Sequence, residues 1–374
     1  MTKPPTATDS ARAETGAISS LIDLALESLP AMQIGESGVF CWDREAGEEA
    51  PRGRSLRYTL MSLLGLAKAR AHGYRVPIEP DAIHAALWAE VDSPELEPGD
   101  YGLYLWAEVR MGGARGPELV DRLTRSLARE GGLSARLGME LGWIITGLAL
   151  HVAANGDAAK PLLGEAIDQL LGPNRGPSGL FRHHGTSGRR GRFPNFATEI
   201  YSVLALATVG RHGLDPRALP AAQVAADRLL ALQLPDGGWP WIYDVETGSV
   251  VERYEVYSVH QDAMAPMALL ELAEATGERR YVDAVAEGLR WIDGRNELGA
   301  QMRAPEHGLV YRSIRRRRPL DRLWLLANTA SASTVRRSRA GRGRLVELNR
   351  TDRPYHFGWV LEAWCGRETA LDPG

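Results

Sequence analysis

The segment from Gln233 to Asp262 carries more chemistry than any other part of the chain. A Gly237-Gly238 turn leads into Trp239, Trp241 and Tyr243, and Glu255, Tyr257, His260 and Asp262 follow before an apolar run begins. Indole and phenol rings offer flat apolar faces with a polar tip, which suits one wall of a sugar or small-molecule site. Carboxylates, an imidazole and a phenol beside them can give or take protons. Each also has a structural reading: Trp239 as packing, Asp262 as a helix cap, His260 as a satisfied wall residue. A second concentration of charge is the arginine run Arg312, Arg315, Arg316, Arg317 and Arg318, continued by Arg336, Arg337, Arg339, Arg342 and Arg344. It reads either as a solvated loop or as a carboxylate or phosphate clamp.

Helices must position these groups. Apolar residues recur at helical spacing over Ser55–His72, Pro117–Glu130, Leu137–Ala154, Ala158–Leu171, Asn195–His212, Pro220–Leu232, Tyr257–Thr276, Arg280–Asp293 and Pro354–Cys365. Gly73, Gly156, Gly213 and Gly277 sit where a left-handed C-terminal cap is needed. Six linkers pair Gly with a bulky apolar residue, at 37–40, 101–104, 131–134, 178–181, 237–240 and 307–310. The helices 137–154 and 257–276 are apolar around most of their circumference and need neighbours on both sides. An inner ring wrapped by an outer ring meets that need. The expectation is all-α: a single (α/α)6-type barrel, or toroid, over residues 17–366, with flexible termini at 1–16 and 367–374. Polar and aromatic residues in the opening turns, including Arg57-Tyr58, Glu140, Glu199, Tyr201, His260 and Tyr355-His356, would line a common cavity.

Composition narrows the function. With 374 residues, 44% hydrophobic and a net charge of −3, the chain has no bulk attraction to nucleic acid or anionic membrane. Cys41 and Cys365 lack zinc-cluster spacing, although one long-range bridge between them stays open. The polar N-terminus lacks a signal-peptide core, so a cytoplasmic location is expected, with no stable membrane insertion. No Gly-rich nucleotide loop is present, so no cofactor is expected, and no metal set is assigned. A homodimer is left open.

The helical units resemble the α/α-toroid superfamilies, which include six-hairpin glycosidases, uronate-modifying enzymes and terpenoid cyclases. Gln233-Leu-Pro-Asp-Gly-Gly-Trp239 resembles the Gln-Trp repeat of squalene-type cyclases, where it fastens one helix to the next turn, but the Asp-rich acid motif of that group is missing. Locally, Gly238-Trp-Pro240, Val256-Tyr-Ser258, His307-Gly-Leu-Val-Tyr-Arg312 and Pro354-Tyr-His356 are similar to motifs of D-glucuronyl C5-epimerase catalytic domains. That resemblance implies catalysis by Tyr257, Tyr311 and Tyr355, to which the residues themselves add Glu255, His260 and Asp262. Trp241, Tyr243, Arg312, Arg315 and His356 are the substrate-binding candidates, the arginines clamping a carboxylate and supplying the positive charge a phenolate base needs. The expected function is an enzyme acting on an acidic glycan, by proton transfer at a uronate carbon or by glycosidic cleavage. The alternatives are isoprenoid cyclisation and a non-catalytic glycan-binding toroid.

Overall fold

The computed structural model describes residues 7–35, 38–48, 50–185, 188–317 and 346–372. The helices are α1 (Ala7–Ser28), α2 (Leu56–Ala71), α3 (Pro80–Ala89), α4 (Pro98–Met111), α5 (Gly116–Arg129), α6 (Gly138–Asn155), α7 (Lys160–Leu171), the single turn α8 (Arg189–Arg192), α9 (Phe196–Arg211), α10 (Ala218–Leu232), α11 (Ala265–Thr276), α12 (Arg279–Ile292) and α13 (Pro354–Trp364). Six of them close a ring: α2 packs on α4, α4 on α6, α6 on α9, α9 on α11, α11 on α13, and α13 back on α2. Around it, α3, α5, α7, α10, α12 and α1 cover α2, α4, α6, α9, α11 and α13 in turn. This is the expected toroid of alternating inner and outer helices.

Residue pattern separates the rings. On the outer helix α5 the buried positions Leu119, Leu123, Ser126 and Leu127 fall on one stripe, whereas on the inner helix α9 every residue from Thr198 to Thr208 is buried. Glycine lets the inner helices touch. A Cβ on Gly65 of α2 or Gly358 of α13 would collide with the opposing backbone, and the same holds for Gly102 of α4 and Gly147 of α6. That contact explains a difference from the sequence expectation: Tyr101-Gly-Leu-Tyr104 lies inside α4 rather than in a linker, its Gly102 facing Ile144 of α6. The helices α1, α3 and α4 were all absent from the expected set.

Short strands fill the linkers at one end: β1 (Arg44–Glu45), β2 (Ile242–Asp244), β3 (Ser249–Glu252), β4 (Val256–Tyr257), β5 (Arg303–Ala304), β6 (Leu309–Val310), β7 (Ser313–Arg316), β8 (Val346–Asn349) and β9 (Thr351–Asp352). They form the antiparallel pairs β1–β9, β2–β3 and β5–β6 and a three-stranded sheet in the order β4-β7-β8. At the C-terminus, where fraying was expected beyond 366, Arg367 instead bridges Glu271 and Glu274 at 2.6 Å each and Leu371 is buried. Cys41 and Cys365 are both buried free thiols, not a bridge, and burial pushes each up to about 12. No helix among the described residues is long and apolar enough to cross a membrane.

Candidate functional site

The N-terminal ends of the inner helices surround a cavity of about 190 Å³. Arg57, Tyr58 and Met61 enter it from α2, Met139 and Trp143 from α6, Asn195, Ala197 and Tyr201 from α9, and Tyr355 from α13. Trp241 comes from the residue before β2, Tyr257 from β4, Arg312 from the residue before β7, and His260 and Met264 from the turn that opens α11. That turn, His260–Met264, is π-helical, a local widening that recurs at functional sites.

Five of the expected site residues therefore meet: Trp241, Tyr257, His260, Arg312 and Tyr355. They form two aromatic clusters. In one, His260 lies 4.6 Å from Phe196, 5.1 Å from Tyr257 and 5.9 Å from Trp241 between ring centroids. In the other, Tyr355 lies 4.7 Å from Tyr58. Arg312 stands near both, its Cζ 5.1 Å from the Tyr257 ring, with Tyr355, Tyr58 and the Glu255 carboxylate also close enough to act on it. Within 4 Å no carboxylate of the described residues pairs with this guanidinium, whereas Arg57 is held by Asp100 at 2.6 Å and Glu97 at 2.6 Å.

The electrostatics revise the expected roles. Burial, with the charge of Glu255, drives the Tyr257 phenol up despite the nearby Arg312, which favours its neutral, proton-donating form over the phenolate expected from the arginines. Burial, Arg312 and His356 together push His260 down to about 3. It is a neutral imidazole, and its Nδ1 has no hydrogen-bond partner among the described residues.

Other expected residues lie elsewhere, for identifiable reasons. Tyr311 precedes Arg312 on an extended segment, where successive side chains point oppositely. With Arg312 in the cavity, Tyr311 turns toward His307 and Arg350, 6.5 Å and 6.0 Å away. Tyr243 would share the face of Trp241, but a register shift between Ile242 and Tyr243 breaks the alternation and buries Tyr243 completely. Arg315 faces Glu347 across β7–β8 and pairs with it at 3.0 Å. Glu255 accepts from Ser313 Oγ at 2.6 Å. Arg318, Arg336, Arg337, Arg339, Arg342 and Arg344 lie outside the described residues.

Asp262 and His356 make a buried clamp. His356 Nε2 is 2.8 Å from Asp262 Oδ1 and its Nδ1 is 3.0 Å from Asp352 Oδ1. Although burial opposes charge on the ring, the two carboxylates raise His356 well above its ordinary value, so it is an imidazolium. Trp364 Nε1 also donates to the Asp262 carbonyl at 2.7 Å. These bonds tie α13 to the π-turn that carries His260.

The other carboxylates near the inner-helix ends, which glycosidic cleavage would call on, are likewise engaged in structure. Glu140 accepts from its own helix at Leu137 N, Glu199 from Phe181 N, and Asp244 from Arg192 at 2.8 and 2.7 Å. Asp236 pairs with Arg253. In the Gln233–Trp239 turn, Gln233 donates to Gly237 O and to Ala284 O of α12, fastening one helix to the next turn as the repeat resemblance implies.

Arg57, Tyr58 and Tyr201 were expected on the cavity wall without an assigned role, and Trp143 and Asn195 were not expected in the site at all. Their shared signal is position: each lies at the N-cap or in the first two turns of an inner helix.

No protein-family model matches the chain, and no curated protein sequence does either. Solved structures do share its fold. Cellobiose 2-epimerase from Bacillus thermoamylovorans B4167 superposes with a TM-score of 0.64 at 10% identity, covering 95% of this chain and 100% of that one. A sugar epimerase from a ruminal bacterium gives 0.63 at 10% identity over 94% and 99% of the chains. An unsaturated glucuronyl hydrolase specific for heparin gives 0.61 at 12% identity over 95% and 97%. The chain thus has the α/α-toroid fold seen in sugar epimerases and a glucuronyl hydrolase.

Proposed function

We propose that the protein is a carbohydrate-active enzyme that moves a proton at the carbon beside a sugar carboxylate. The observation that carries this reading is the pairing of a neutral His260 with an Arg312 that lacks a carboxylate partner, in a cavity whose described lining contains no Asp or Glu. Arg312 would bind the substrate carboxylate and hold the enolate-like charge that develops when the proton leaves. His260 would accept that proton, the substrate anion supplying the countercharge its imidazolium otherwise lacks. Tyr355, in the other aromatic cluster beyond Arg312, would return a proton. Tyr257 would orient the ring through its hydroxyl, and Trp241 would pack against the C–H face.

Glycosidic cleavage by paired carboxylates is less well supported, since it needs two acidic groups flanking the bond. An isoprenoid chain is also disfavoured: the cavity of about 190 Å³ is small beside the roughly 300–1,000 Å³ of drug-sized sites, and it is cationic. The structural neighbours include two sugar epimerases and a glucuronyl hydrolase, which agrees with a sugar substrate. The test is incubation with glucuronic acid and glucuronate-containing oligosaccharides in deuterium oxide, followed by NMR. Deuterium at C5 supports proton transfer; new reducing ends without exchange would replace it with hydrolysis.

A further inference from the structure

The large hydrophobic side chains left exposed among the described residues are Val224 and Trp42, and Trp42, 45% exposed, is the aromatic one. It is not on a loose loop. β1 pairs with β9 in the register Arg44↔Asp352, and Trp42 N donates to Arg52 O at 2.8 Å, so the indole is fixed beside the start of α13. Its ring stacks on Tyr58 at 4.9 Å, and Tyr58 meets Tyr355 at 4.7 Å. Because Tyr58 and Tyr355 line the cavity, the three rings step from solvent to the candidate site.

Arg353 completes the arrangement. Its Cζ lies 4.4 Å from the Trp42 ring centroid, and Nη1 donates to the Tyr58 hydroxyl. Like Arg312, this guanidinium has no ion pair within 4 Å among the described residues; Asp352, next in sequence, accepts from the Arg353 backbone N–H and from His356 instead. The rim thus combines an exposed indole, a phenol and an arginine with donors to spare. A pyranose presents a C–H surface for the indole, and a carboxylate or sulfate on it would answer the guanidinium. A packing role for Trp42 would account for its contact with Tyr58, but not for its exposure beside a guanidinium that lacks a counter-ion.

We propose that Trp42, Tyr58 and Arg353 form an outer subsite that binds a second, anionic sugar ring of the substrate, adjoining the ring held at Arg312. This rests on the carbohydrate reading above and makes the substrate at least a disaccharide of an acidic glycan. The test is calorimetric titration of glucuronic acid and of its β-1,4-linked dimer into wild type, W42A, W42F and R353Q. The wild type is expected to bind the dimer about tenfold tighter than the monomer. W42A and R353Q bring the dimer down to the monomer's affinity while monomer binding stays within about twofold, and W42F, which keeps a ring, retains part of the gain. Equal losses for monomer and dimer, or none, overturn the subsite. So does a wild type that binds the monomer but gains nothing from the second ring, which leaves the carbohydrate reading intact. Failure of both sugars to bind the wild type overturns both.

Discussion

The two mouths of the ring differ in a way that volume alone would misjudge. At the C-terminal ends of the inner helices lies a cavity of about 560 Å³, larger than the 190 Å³ cavity at the N-terminal ends. Its charges answer one another. Arg211 and Arg367 share Glu271 and Glu274 at 2.6–2.9 Å, Arg110 pairs with Glu362, and Lys68 donates to the Glu362 carbonyl. Those cations also sit where helix dipoles favour them, at C-termini carrying partial negative charge. At the N-terminal mouth the dipoles are positive and, of the described arginines there, only Arg57 is paired, with Asp100 and Glu97; Arg312, and Arg353 at the rim, add charge without a described carboxylate within 4 Å. Unbalanced charge, rather than space, marks the mouth suited to an anion.

The sharpest way to break that contrast is at His260. H260Q is expected to lower the rate of deuterium incorporation by about 10²–10⁴-fold, the usual worth of a positioned base, with the fold retained by circular dichroism. Because the free imidazole titrates near 3, kcat/KM for the wild type should hold its value on the acid side down to about pH 4; a limb near 6.5 would show that His260 is not the base.

Next in size is the clamp that seats His260. H356A leaves two buried carboxylates without their cation and should cost about 3–5 kcal/mol in denaturant unfolding. The pH dependence has a definite sign. His356 is raised above its unfolded value of about 6.5, so its contribution is complete below that pH and is lost as pH rises through the folded value. The stability gap between wild type and H356A should therefore narrow under alkaline conditions.

R312A follows, with an expected loss of about 10–100-fold in affinity for glucuronic acid and little change for neutral glucose. The smallest effect belongs to the other mouth. Burial pushes Lys68 down to about 8 from 10.5, so the unfolded chain binds more protons between those values and stability rises with pH across that window. K68M removes a buried cation and should be as stable as wild type or slightly more so at pH 7, by about 1 kcal/mol or less, with the difference shrinking toward pH 10.

Much of this molecule was readable from its residues, and the failures have physical causes. Helices α2, α5–α7 and α9–α13 follow from apolar spacing, and the double ring from helices apolar on all sides. Helix α4 was missed because Gly102 reads as a turn, when its missing side chain serves close contact with α6. In the site, Trp241, Tyr257, His260, Arg312 and Tyr355 lie on the segments the sequence singled out. Tyr243 and Tyr311 failed through strand phase: a bulge and an alternation that composition does not encode. Asp262 and His356 have the right chemistry for catalysis but bind each other across 94 residues of chain, a pairing visible only in three dimensions.

The most direct test of the claim that the N-terminal mouth is the functional one is calorimetric titration of glucuronic acid into wild type, R312A and K68M. R312A is expected to lose about tenfold or more in affinity while K68M stays within about twofold of wild type. Loss in K68M with R312A unaffected would contradict that claim and move the site to the opposite end of the ring.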